Sequence, residues 1–142
     1  MERQDLNDSR GSEDRRPRVL FVDDDPIVCR SVARCLERLG FSVMVVSSGS
    51  TALDVIAGES FDAVVTDLYM PEMSGADLIG RLIDRDPTMR SRIVLMSGDL
   101  HGEDTRALIA QTGCRTVSKP FQLADLALAV RAAAAGGAAV RQ

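Results

Sequence analysis

Five short runs of apolar, largely β-branched residues recur along the chain: RVLFV at 18–22, SVMVV at 42–46, DAVVT at 62–66, RIVLMS at 92–97 and RTVS at 115–118. The apolar positions within them are continuous rather than alternating, the pattern of strands covered on both faces, as in a parallel sheet. Between the runs the spacing becomes helical: Val28, Val32, Leu36 and Leu39, then Leu78, Ile79, Leu82 and Ile83, and later Leu123, Leu126, Ala127 and Val130. Gly40 and Gly113 fall where helix C-terminal caps belong. Strand and helix in alternation predict an α/β fold with a doubly wound, five-stranded parallel sheet, because each crossover is right-handed and covers one face.

The two ends lack this patterning. Residues 1–17, MERQDLNDSRGSEDRRP, mix both charges with polar residues and hold one large aliphatic after Met1, Leu6. Such a segment buries too little apolar surface to offset its ordering entropy, so a flexible N-terminal arm is predicted. From Ala132 the chain reads AAAAGGAAVRQ, a helix end running into a flexible tail at 136–142. One domain is therefore predicted over 18–135, and the seven residues after Ala135 are too few for a DNA-binding or catalytic output domain.

Composition narrows the function. A chain of 142 residues that is 45% apolar suits a single domain with a real core. Its net charge of −4 argues against direct DNA binding, which needs clustered Lys and Arg. Cys29, Cys35 and Cys114 form no C-x-x-C pair, and if Cys29 and Cys35 share one helix, six residues apart, they point to different faces and cannot bridge. An odd count without metal-ligand spacing reads as small buried residues in a reducing compartment. No signal-peptide core and no apolar run of roughly 20 residues is present, so the expected location is cytoplasmic, with no membrane contact.

In an open α/β sheet, ligands bind beyond the carboxyl ends of the strands, so the residues there carry the chemistry. The first run ends at Asp23 and Asp24, the third at Asp67, the fourth at Ser97 and the fifth at Lys119. The second ends at the uncharged Ser47 and Ser48. Three carboxylates, a hydroxyl and an ammonium on one rim suit a hard divalent cation, Mg2+ above all, beside a phosphoryl group. A carboxylate can attack phosphorus to give an acyl phosphate while a metal and a lysine offset charge on the transferring oxygens.

These residues resemble the response-regulator receiver domains of two-component signalling, over essentially all of 18–135. The resemblance rests on the acidic pair Asp23 and Asp24, on Asp67 through Gly75 in a D-x-x-M-P-x-M-S-G context, on Ser97, and on Lys119-Pro120-Phe121. It implies a CheY-like, flavodoxin-like (βα)5 fold with strand order 2-1-3-4-5. It further implies that Asp67 accepts a phosphoryl group from a sensor histidine kinase or a histidine phosphotransfer protein. Asp23, Asp24 and Asp67 would hold Mg2+ with the backbone carbonyl of Tyr69, while Ser97 and Lys119 bind the phosphoryl oxygens and the Lys119-Pro120 bond is cis. Receivers catalyse only their own phosphorylation and dephosphorylation and signal through protein contacts, here to an unknown downstream partner, as a monomer or weak dimer. Where receivers commonly carry an aromatic residue on strand five, this chain has Thr116, which puts the usual aromatic readout in question. Tyr69 and Asp99, each two residues beyond a site residue, are expected to set the rate of hydrolysis.

Other signals have plainer readings. An aspartate after a strand is, alone, more often a turn or cap residue than a nucleophile; the motif around Asp67 reverses those odds. Asp25, directly before Pro26, is predicted to cap the first helix. His101 reads as an exposed loop residue, Met70, Met73 and Met96 as packing residues, and Leu128 as a scattered surface leucine. A rival reading is a haloacid-dehalogenase-like phosphatase, with Asp23 as nucleophile, Asp25 as general acid, and Ser97 and Lys119 in support. It leaves Asp67 unexplained and lacks an acidic pair after Lys119. A fragment of a larger regulator is the other alternative.

Overall fold

The computed structural model describes residues 16–136, so the arm and tail expected at the two ends lie outside it except for Arg16, Pro17 and Gly136. In chain order the elements are β1 (Arg18–Val22), α1 (Pro26–Arg38), β2 (Ser42–Val46), α2 (Gly49–Gly58), β3 (Ala63–Asp67), α3 (Gly75–Arg85), a 3-10 segment (Pro87–Arg92), β4 (Ile93–Ser97), α4 (Glu103–Thr112), β5 (Arg115–Ser118) and α5 (Leu123–Ala134). The sheet has the order β2-β1-β3-β4-β5 with every neighbouring pair parallel, as expected.

Alternation along β1 divides the core in two. Val19 and Phe21 face α1 and α5, among Val32, Leu36, Leu126 and Val130. Leu20 and Val22 face the other layer, among Ala52, Leu78, Ile79, Leu82 and Leu108 of α2, α3 and α4. The three central strands are therefore apolar at consecutive positions because both of their faces are covered. The edge strands depart from this: in β2, Ser42 and Val45 are exposed, and β5 buries only Val117.

Local signals account for the boundaries. Asp25 caps α1, its carboxylate accepting from the N–H groups of Ile27 and Val28, with Pro26 in the first turn. The helix closes where Gly40, at φ +99°, lets its own N–H reach Glu37 O and the Phe41 N–H reach Leu36 O. That double bond is a Schellman motif, and it plants Phe41 in the core beside Leu36. Gly113, at φ +66°, ends α4 in the same left-handed region. β3 begins and ends one residue later than the sequence predicted, because the ladder carries on through Asp67 opposite Met96. Arg92 likewise belongs to the 3-10 segment rather than to β4.

Candidate phosphoryl and metal site

The strand ends bring the predicted residues to one rim. Asp23 follows β1 directly, and its N–H donates to Val46 O at 3.2 Å, which keeps the chain in register with β2 beyond the strand. Lys119 follows β5 in the same way, its N–H donating to Ser97 O at 2.8 Å. The Lys119 ammonium then donates to Asp67 Oδ2 at 2.9 Å and lies 3.9 Å from Asp23 Oδ2. The Lys119-Pro120 bond is cis. One oxygen from each of Asp23, Asp24 and Asp67 lies within 4.8 Å of the others.

The three carboxylates differ in surroundings. Asp24 is exposed, Asp67 half-buried, and Asp23 only 2% exposed. Asp23 Oδ1 accepts the Asp25 N–H at 2.9 Å, whereas its buried Oδ2 has no hydrogen-bond donor. Burial pushes the Asp23 carboxyl above its ordinary pKa and outweighs the Asp25 N–H and Lys119, which pull it down, while the charges of Asp67 and Asp24 add a smaller push upward. Burial alone would lower the Lys119 pKa, but its hydrogen bond to Asp67 and the three carboxylate charges outweigh that and raise it. An unsatisfied buried oxygen facing two more carboxylates is a costly arrangement that a cation relieves.

Ser97 ends β4 fully buried, its hydroxyl accepting the Asp99 N–H at 3.1 Å and sharing a 3.2 Å hydrogen bond with Thr105 in the first turn of α4. The Asp99 carboxylate accepts the His101 N–H within its own loop, and His101 is exposed, as expected. Tyr69 is 63% exposed, and its hydroxyl donates to Asp104 at 3.2 Å. Gly75 brings α3 against the loop after Asp67: its N–H donates to Leu68 O at 2.7 Å, and a Cβ there would lie 2.1 Å from Asp67 O. Met96 is buried, and Met70 and Met73 pack against the second core cluster.

Strand order, carboxylate trio and lysine together define the CheY-like class of signalling domain. The chain belongs to the response regulator receiver domain family, whose model matches residues 19–131. It is 31% identical over 109 residues to the response regulator receiver protein CpdR of Brucella abortus, covering 77% of this chain and 89% of that protein. It is also 31% identical over 114 residues to the probable transcriptional regulatory protein TcrX of Mycobacterium tuberculosis, covering 80% of this chain but 48% of TcrX. Among solved structures, the signal receiver domain of an HD domain-containing protein from Pseudomonas fluorescens superposes with a TM-score of 0.74 at 27% identity, covering 84% of this chain and 94% of that one.

Receiver domains bind Mg2+ in an acidic pocket, and the trio here fits one: three convergent carboxylates, one with an oxygen that no donor satisfies. The phosphatase reading loses its general acid, because the Asp25 carboxylate is occupied at the N-terminus of α1. Sequence reasoning did not single out Thr105 or the close approach at Gly75. Neither has a local signal, since each matters through a segment eight residues away that only the fold brings back. Among the described residues, no helix is long and apolar enough to cross a membrane.

Proposed function

We propose that this receiver, folded over 18–135, accepts a phosphoryl group on Asp67 from a sensor histidine kinase or a histidine phosphotransfer protein, and signals through phosphorylation-dependent protein contacts. The observation that carries the reading is the Lys119 ammonium 2.9 Å from Asp67 Oδ2, beside a carboxylate trio with one unsatisfied oxygen. An Asp67 oxygen attacks the phosphorus of the phosphohistidine, the P–N bond breaks, and the histidine nitrogen leaves with the electron pair. The product is an aspartyl phosphate and a free imidazole. Lys119 exchanges its hydrogen bond with Asp67 for one with a phosphoryl oxygen, so the positive charge is already in place when negative charge moves onto that group. Ser97 donates its hydroxyl hydrogen to another phosphoryl oxygen. Asp23 and Asp24, with Asp67 and the Tyr69 carbonyl, hold Mg2+, which supplies charge neutralisation of the transferring oxygens. Tyr69 and Asp99 flank the phosphoryl group and set its rate of hydrolysis. The domain works in the cytoplasm and makes no DNA contact of its own.

Acetyl phosphate supplies the phosphoryl group without a kinase. Intact-mass analysis should show the chain gaining one phosphoryl group in the presence of Mg2+, and losing that gain with EDTA or in Asp67→Asn. Full labelling of Asp67→Asn together with none of Asp23→Asn would favour the phosphatase chemistry instead.

A further inference from the structure

The Ser97 hydroxyl has one hydrogen, which can go to the Thr105 hydroxyl it shares a hydrogen bond with or, if Asp67 carries a phosphoryl group, to a phosphoryl oxygen. In the structure the hydroxyl already accepts from the Asp99 N–H, and its remaining side-chain hydrogen bond is to Thr105 Oγ1 at 3.2 Å. Both hydroxyls are out of water, Ser97 at 0% and Thr105 at 1% exposure, so neither has a solvent substitute. Thr105 is the third residue of α4, and its neighbour Asp104 receives the Tyr69 hydroxyl from the acceptor loop. The first turn of α4 is thus tied to both strand-end loops at the site.

We propose that Thr105 is a positioning residue for Ser97: it holds the Ser97 hydroxyl in the resting arrangement, and α4 registers phosphorylation when that bond is given up. The inference rests on the reading of Asp67 as phosphoryl acceptor. When Ser97 turns its hydrogen to a phosphoryl oxygen, the Thr105 hydroxyl loses its partner in a dry site. The cost falls on the first turn of α4, which must shift to satisfy it. Removing the Thr105 hydroxyl therefore eases engagement of Ser97 while cutting its link to α4.

The test is calorimetric titration with beryllofluoride, the phosphoryl mimic, in Mg2+. Thr105→Val should bind it roughly 3- to 10-fold more tightly than the native chain, the equivalent of one net hydrogen bond. Thr105→Ser, which keeps the hydroxyl, should bind as the native chain does. In a Ser97→Ala background, Thr105→Val should change nothing. Unchanged or weaker binding in Thr105→Val, no rescue by serine, or the same gain without Ser97 would each overturn the inference. Thr105→Cys, with a weaker donor of similar size, replaces the valine variant if that one gives no cooperative melt, and the same direction is expected. Native protein that ignores beryllofluoride, or Asp67→Asn that binds it fully, would instead refute Asp67 as acceptor.

Discussion

Glu72 adopts φ +72° in the loop after Asp67, and the Met73 N–H closes a three-residue turn onto Pro71 O at 2.8 Å. A side chain in that region costs about 1–2 kcal/mol, whereas glycine in its place loses about 0.5–1 kcal/mol more backbone entropy on folding. The steric term is the larger. Glu72→Gly should therefore raise stability by roughly 0.5–1 kcal/mol, read as a higher urea midpoint at unchanged slope. The aspartates at 23–25 show what single residues disclose in a sequence. Asp25 was legible as a cap because the proline after it is a local sign, and its carboxylate does accept two helix N–H groups. The unsatisfied oxygen of Asp23 was not legible, because it depends on how closely Val46, Lys119 and Asp67 surround it.

α5 displays the difference between pattern and contact within one element. Leu126 is fully buried against β1, β3 and β4 residues of the first core cluster, while Leu128, two positions on, is 67% exposed. Leu126→Ala should cost about 2–5 kcal/mol, and Leu128→Ala less than about 0.5 kcal/mol, both from chemical denaturation. Helical spacing predicted the first of these residues as core and left the second on the surface. The strands were legible where burial is two-sided. In the edge strand β2 the same apolar pattern overstated burial, since Val45 is 41% exposed and none of its five residues is fully buried. The start of β3 slipped by one residue because Asp62 looks like a strand residue but is held in the turn before it, donating to Arg18 O and accepting the Arg18 N–H.

At the scale of the molecule, the rim is assembled from the ends of β1, β3, β4 and β5, and the buried Asp23 carboxylate opposes folding when no cation is present. Burial raises the Asp23 pKa in the folded state, so its protonated form favours the fold at low pH. That contribution is lost as pH rises through the folded value, leaving a penalty at neutral pH. In Asp23→Asn the amide oxygen keeps the Asp25 N–H, and the amide nitrogen donates toward the remaining carboxylates. Without divalent cation at neutral pH this variant should be more stable than the native chain, by on the order of 1 kcal/mol. Mg2+ should raise the melting temperature of the native chain and leave that of Asp23→Asn almost unmoved.

The central claim is that a phosphoryl group is carried by Asp67 and by no other carboxylate of the rim. Phosphorylation with acetyl phosphate and Mg2+, followed by borohydride reduction and peptide mapping by mass spectrometry, reads the acceptor directly. The reduced acyl phosphate is predicted at Asp67, with Asp23 and Asp24 unmodified; reduction at Asp23 with Asp67 intact would contradict the account.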